Sequence, residues 1–325
     1  MLLSEGHYFI VGGAGFLGSH FTDALLAEPQ TRRVTLFDDF SSGREWHYEA
    51  HRNDRRLHIV RADAGDLDAL IATMAGHDWV IHLAANPDIA LAQERPDIDF
   101  YRGTFLTNNV VEAMRRTGLR RLLYASGSGV YGDAGDTLLA EDHAPMVPVS
   151  PYGASKLASE ALIASYCAMF GLHACVLRFG NIVGARQTHG VGFDFLRRLM
   201  SQPNRLRILG DGEQRKPYIH ASDVVAAALC ATKKAAAPFS VFNVATDDVL
   251  TVREIAELAV ETVGLLRIPV FEYSGGARGW RGDVPVVRLD SARVRSLGWF
   301  PKRNSREAMR QSLQELIADA RTLHN

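Results

Sequence analysis

Cysteine is scarce in this chain, with three among 325 residues and no CxxC pair. Cys167, Cys175 and Cys230 are scattered and flanked by apolar residues, which excludes a disulfide framework or a thiolate metal site and reads as core thiols in a reducing compartment. A surplus of charge is also lacking. Lys and Arg number 36 against 37 Asp and Glu, with no long run of one sign, so there is no electrostatic footprint for nucleic acid or an anionic membrane. Long hydrophobic runs are absent as well: Met1-Leu2-Leu3 is followed by Glu5 and His7, and the apolar segment 8–11 ends at a glycine cluster. A signal peptide or a membrane span needs more. The expectation is a cytoplasmic globular protein with no metal site, no internal repeat and a core large enough to need no staples.

What is present is a rhythm. Short apolar runs at 8–11, 34–37, 57–60, 79–83, 122–125 and 174–179 alternate with longer amphipathic stretches, of which 17–27, 104–117 and 152–170 carry apolar residues at helical spacing. Strands apolar on both faces and separated by helices indicate a parallel sheet covered on both sides. The expected class is α/β: a doubly wound parallel-sheet Rossmann domain with a smaller mixed α/β substrate domain. After Asn181 the rhythm breaks into a Gly- and Arg-containing loop at 184–192, an amphipathic run at 193–200 and Gly210-Asp211-Gly212. The stretch 218–244 again reads as strand, helix and strand. The boundaries expected are residues 1–180 plus about 218–245 for the dinucleotide half, and 181–217 with 246–325 for the substrate half.

Gly12-Gly13-Ala14-Gly15-Phe16-Leu17-Gly18 follows the first apolar run and opens the first helical pattern. Glycines there permit a tight turn and a close backbone approach to a pyrophosphate, and free N–H groups at the helix start attract the anion. Asp38 lies twenty residues past Gly18, at the end of the second apolar run, where a carboxylate accepts the adenosine ribose hydroxyls. Asp38 and Asp39 repel a 2′-phosphate, favouring NAD over NADP, although Arg44 is close by. Asp63 stands where it reaches the adenine amino group or is simply a solvated loop carboxylate.

In Tyr152-Gly153-Ala154-Ser155-Lys156 the tyrosine and lysine are four apart at the start of an amphipathic helix, so they share a face. A free phenol titrates near about pH 10, too high for a base at neutral pH. An adjacent ammonium and a positively charged nicotinamide both favour the phenolate, so the spacing predicts a lowered Tyr152 that takes a proton from a sugar hydroxyl while Lys156 holds the nicotinamide ribose.

These residues resemble the extended short-chain dehydrogenase/reductase family, in particular its UDP-glucose (UDP-galactose) 4-epimerases and related nucleotide-sugar epimerases. The resemblance is carried by Gly12-x-x-Gly15-x-x-Gly18, Phe37-Asp38-Asp39, His82-Leu83-Ala84-Ala85, Val130-Tyr131-Gly132, Pro151 to Lys156, Arg178-Phe179-Gly180-Asn181, and Gly210 to Arg215. It implies tightly held NAD, a nucleotide-diphospho-sugar substrate that is UDP-linked, and a 4-epimerase cycle through a 4-keto intermediate with no net redox change. It implies a homodimer through the helices 104–117 and 152–170. For the cofactor it adds Phe16, Leu17, Ser42, Gly43, Ala64, Leu83, Ala84, Ala85 and Phe179. For the substrate it implies Asn86, Ser128, Tyr152, Asn181, Arg186, Gly192, Phe193, Ile208, Arg215, Lys216, Tyr218, Arg278, Arg281 and Asp283.

The chain also departs from the pattern. Four residues before Tyr131, where the family places a Ser or Thr hydroxyl, stands Gly127, flanked by Ser126 and Ser128, either of which is a candidate replacement. Gly103 takes the place of an asparagine ahead of the fourth helix. Lys216 and Trp280 occupy two phosphate-arginine positions, with Arg215, Arg278 and Arg281 beside them; a lysine grips phosphate without the arginine fork. No carboxylate occupies Ser128 or Gly129, where 4,6-dehydratases carry their acid and base, so a C4 redox cycle fits better than elimination. Arg186, in a loop expected to face the sugar, suits a hexuronate carboxylate or is a solvated charge. His189 has no metal-ligand partner at useful spacing. The alternatives carried forward are a UDP-glucuronate 4-epimerase, a net nucleotide-sugar dehydrogenase or reductase, and a binding protein that has lost catalysis.

Overall fold

The computed structural model describes residues 6–319, and among them a seven-stranded parallel sheet forms the centre. Its strands in chain order are β1 (Gly6–Val11), β2 (Thr31–Asp38), β3 (Leu57–Arg61), β4 (Trp79–His82), β5 (Arg121–Gly127), β6 (His173–Phe179) and, after intervening short strands, β11 (Phe239–Val244). The spatial order is β11-β6-β5-β4-β1-β2-β3. Succession reverses between β1 and β4, and the crevice beyond the carboxyl ends of such strands is where this architecture receives a ligand. The short strands are β7 (Asn181–Val183), β8 (Arg205–Ile208), β9 (Arg215–Lys216), β10 (Tyr218–His220), β12 (Leu250–Thr251) and β13 (Val270–Tyr273).

Both faces of the sheet are covered at its centre, which is why the inner strands are largely apolar, while the edge strand β3 has no fully buried residue. Helices α1 (Phe16–Leu26) and α6 (Ala221–Lys234) close one face around Phe21, Leu25, Val224 and Ala228. On the other face α2 (Leu67–Met74), α3 (Leu106–Thr117) and α4 (Pro151–Phe170) pack Leu70, Met74, Val110, Met114 and Ile163 against Phe9, Val80 and Tyr124. A separate core joins α5 (Val191–Ser201), α7 (Val252–Val263) and α9 (Ser305–Ala318) through Leu196, Leu206, Ile255, Leu258, Met309 and Leu313. The short helix α8 (Ala292–Ser296) lies against β11.

Four helices escaped the sequence reading, α2, α7, α8 and α9, and all but α8 carry a side-chain start signal. Asp66 caps α2, accepting from the Ala69 amide, while Thr251 with Glu254 and Asn304 with Glu307 form reciprocal capping boxes on α7 and α9. The segment 218–244 divides: β10 pairs with β7 outside the main sheet, and only β11 joins β6 at its edge.

The helix read from 104 begins differently. Residues Phe100–Phe105 form a π-helical turn ahead of α3. Ser155 Oγ enters that turn, accepting from the Thr104 amide at 3.0 Å and donating to the Asp99 carbonyl at 2.6 Å. A Cβ at Gly103 would collide with that hydroxyl. Gly103 therefore lets α4 lock onto the widened turn through the residue next to Lys156.

Candidate active site

The loop after β1 is shaped by its glycines. Gly12 adopts φ +80°, and a Cβ there would lie 2.7 Å from the Ala84 nitrogen, while one on Gly18 would run into the Gly13 carbonyl. Gly15 caps α1 with no side chain, leaving the first amides of the helix open to an anion. Asp38, at the end of β2, is buried and fixed by two amides, Ala14 N to Oδ2 at 2.9 Å and Phe40 N to Oδ1 at 2.8 Å. Burial pushes its carboxyl up against the pull of those two bonds. Asp39 accepts from Ser41 and pairs with Arg102 Nη1 at 2.6 Å, and the same guanidinium stands 3.5 Å from Asp63. Asp39 and Asp63 thus share an arginine that the sequence did not flag. Gly43 does not line the cleft; its Cα packs behind Asp38 and Ala14, where a Cβ would come within 2.8 Å of Asp38 Oδ1.

At the centre, Ser150 caps α4 by accepting from Gly153 N, and Pro151 starts the helix. Tyr152 and Lys156 both line the cleft. Lys156 is buried, its Nζ donating to the Ala125 carbonyl at 2.6 Å and lying 5.0 Å from the Tyr124 ring centroid and 5.6 Å from that of Tyr152. Burial drops the ammonium to about 8, against the opposing pull of Glu160 and Asp99. The phenol of Tyr152 moves the other way from the sequence expectation. Burial, reinforced by the charge of Asp99, pushes it up to about 12. The ammonium is committed to a carbonyl rather than to the phenol, so the protein's own groups do not lower Tyr152.

The two serines beside Gly127 separate. Ser126 Oγ donates to Glu160 Oε1 at 2.5 Å, inside a buried network in which Arg178 bonds Glu160 at 2.7 Å and the Tyr131 hydroxyl at 2.9 Å, and Tyr131 donates to Asn243 at 2.8 Å. Its hydroxyl is committed to α4. Ser126 and Ser128 both line the cleft, and Ser128, half-buried at the start of the turn Ser128–Tyr131, is the one not committed to the Glu160 network. Gly127 itself is extended, and a Cβ there would meet no atom within 4 Å. Gly127→Ser is therefore expected to fold with stability within about 0.5 kcal/mol of the parent and to raise kcat by returning a hydroxyl beside the phenol. A drop in kcat at unchanged stability would show that the substrate already fills that space.

The far half of the cleft is built by Asn181 on β7, Gly192 and Phe193 on α5, Lys216 on β9 and Tyr218 on β10. Lys216 Nζ pairs with Asp283 Oδ1 at 2.5 Å, and both side chains line the cleft. Five residues expected here are placed elsewhere. Arg186, with φ +66°, lies outside the cleft lining and pairs with Asp23 on α1 at 2.5 Å. Ile208 is fully buried in the second core. Arg215 pairs with Asp136 at 2.5 Å and Arg278 with Asp133 at 2.6 Å, each drawn off by a carboxylate, and Arg281 is exposed outside the cleft. Trp280, which stands where an arginine was expected, lines it instead. Gln214, inside the Gly210 to Arg215 motif, also lines it, as do Leu209 and Ser150, which had no signal of their own in the sequence.

The cleft is continuous from Gly12 to Tyr218 and encloses about 1470 Å³, more than the roughly 300–1,000 Å³ of a pocket for one small molecule. Two ligands side by side fit that shape. No group of three or more His, Cys, Asp or Glu able to hold a metal occurs among the described residues, and no helix among them is long and apolar enough to cross a membrane.

A model of the NAD dependent epimerase/dehydratase family matches residues 8–245. The chain is 32% identical over 301 residues to a UDP-glucose 4-epimerase of Mycolicibacterium smegmatis, covering 90% of this chain and 93% of that one. Among solved structures, a UDP-galactose 4-epimerase superimposes with a TM-score of 0.86 at 34% identity, over 97% of this chain and 99% of the other. The UDP-glucose 4-epimerase of Thermus thermophilus, solved in complex with NAD, gives 0.85 at 28% identity, over 97% and 100%.

Proposed function

The chain belongs to the NAD dependent epimerase/dehydratase family, and from that premise we propose that it is an NAD-dependent nucleotide-diphospho-sugar 4-epimerase acting on UDP-glucose and UDP-galactose. The observation that carries the reading is the place of Tyr152 and Lys156: one helical turn apart, between the Gly12–Asp38 cradle and the half lined by Asn181, Lys216 and Tyr218. NAD fits the first half on three counts, the open amides of α1, the close backbone approach at Gly12 and the fixed carboxylate of Asp38. When bound, NAD supplies a hydride acceptor and donor and a positive ring. Tyr152 removes the proton of the sugar C4 hydroxyl and returns it after the sugar has presented its other face. Lys156, anchored on the Ala125 carbonyl, keeps an ammonium behind the phenol, and Ser128 offers a hydroxyl to the reacting oxygen. Lys216 faces the diphosphate, which must compete with Asp283 for it.

The purified protein is expected to interconvert UDP-glucose and UDP-galactose with no build-up of NADH. Stoichiometric NADH, or no conversion of any UDP-, dTDP- or GDP-sugar, would replace this reading by a net dehydrogenase or a binding protein. The hexuronate alternative loses its residue, since Arg186 is paired with Asp23 on α1.

A homodimer through α3 and α4 belongs to the same proposal. Phe100, Tyr101, Phe105, Met169 and Phe170 leave apolar surface exposed on and beside these helices. A sedimentation mass of two chains is the expected result. A cytoplasmic location suits three free cysteines.

A further inference from the structure

The loop between β7 and α5 belongs to the substrate half but is fastened to the other. Its residues Gln187 to Gly190 line the cleft next to Gly192 and Phe193, whereas Ala185 and Arg186 lie outside that lining and reach α1, the helix whose open amides face the cofactor. Arg186 Nη2 donates to Asp23 Oδ2 at 2.5 Å and to His20 Nδ1 at 3.4 Å. His20 Nε2 lies 2.9 Å from the Ala185 carbonyl. Burial and the guanidinium hold this imidazole uncharged, its pKa down to about 4, and the tautomer with its proton on Nε2 satisfies both contacts at once. The other oxygen of Asp23 meets His51 Nε2 at 2.8 Å, so the carboxylate is fixed from both sides.

Arg186 holds φ +66°, a left-handed backbone that residues other than glycine rarely take and that persists where the surroundings over-determine it. Here they do. His47 stands 2.6 Å from the Ala14 carbonyl of the glycine turn and 3.1 Å from the Arg186 carbonyl, so the same loop also abuts the cofactor cradle. From its own half, Glu315 on α9 accepts from the Ala185 amide, and Gln187 Nε2 donates to the Ile182 carbonyl at 3.2 Å. We propose that Arg186 is a positioning residue: latched to α1 through Asp23 and His20, it sets the rim formed by Gln187 to Gly190 and couples the cofactor helix to the affinity of the substrate half. The proposal rests on reading that half as the site of a UDP-sugar. The Asp23 side chain is 40% exposed, and an ion pair so open to water adds little to global stability. Its effect is therefore expected in the loop and in binding, and not in the melting temperature.

The test uses the purified protein with NAD added. Asp23→Asn removes the partner's charge at the same shape, and Arg186→Gly removes the side chain while adopting φ +66° without strain. In each variant the amides of residues 187–190 are expected to exchange hydrogen faster than in the parent at a nearly unchanged melting temperature, and UDP, followed by calorimetry, to bind about tenfold more weakly. In Asp23→Asn the KM for UDP-glucose should rise by the same factor while kcat holds. The double variant should bind UDP no worse than either single one, since both cut one link. Exchange unmoved in both variants overturns the latch. Faster exchange with UDP affinity unmoved, or losses that add in the double variant, overturns the positioning role. If the parent itself binds no UDP, the exchange still decides the latch, and the proposed substrate falls instead.

Discussion

Replacing Tyr152 with phenylalanine is expected to lower kcat by about 10²–10⁴-fold, the range for removing a positioned acid–base group, with little change in KM. The ring stays and only the hydroxyl goes. The neighbouring phenols are poor substitutes: Tyr124 is fully buried with its hydroxyl pushed up by burial, Tyr131 is bonded to Asn243 and Arg178, and Tyr218, in the far half of the cleft, is likewise pushed up by burial. Lys156 donates to Ala125 rather than to Tyr152, so the ammonium keeps its anchor in the variant. Retention of NAD, measured as nucleotide released on denaturation, should equal that of the parent. Unimpaired epimerisation would remove Tyr152 from the mechanism, whereas equal loss of bound NAD and of activity would mean that the substitution had damaged the cofactor cradle.

The second large effect is on stability. Glu160→Ala is expected to cost about 3–5 kcal/mol, the penalty for removing one partner of a buried ion pair. Glu160 and Arg178 are each only 4% exposed in their side chains and are joined by three hydrogen bonds. Removing the carboxylate strands the guanidinium and frees Ser126 Oγ in the same stroke. Glu160→Gln, which retains an acceptor, should lose less. Urea unfolding monitored by circular dichroism measures both, and a loss below about 1 kcal/mol for the alanine variant would mean that water replaces the pair, as at an exposed site. Because Glu160 also favours the Lys156 ammonium, the surviving enzyme should show a lower Lys156 midpoint.

The cofactor half of the site was legible because its chemistry is local. A strand, a glycine turn and a helix start lie within one short stretch, and the demand for close backbone approach is written at Gly12 and Gly18 whatever surrounds them. Tyr152 and Lys156 were legible for the same reason, since helical spacing alone puts them on one face. Their ionisation was not. The phenol's rise depends on burial by remote segments and on Asp99, 53 residues upstream.

Composition, periodicity and the glycine turn by themselves determined a doubly wound α/β chain with a dinucleotide cradle and a phenol–ammonium pair, because each of those rests on neighbours along the chain. The destinations of the side chains expected at the substrate were decided by the tertiary structure. Arg186 found Asp23, Arg215 found Asp136, Arg278 found Asp133, and Ser126 was drawn to Glu160. A flexible cation goes to whichever carboxylate folding brings within reach, and partners 34 to 163 residues apart along the chain leave no mark on local pattern.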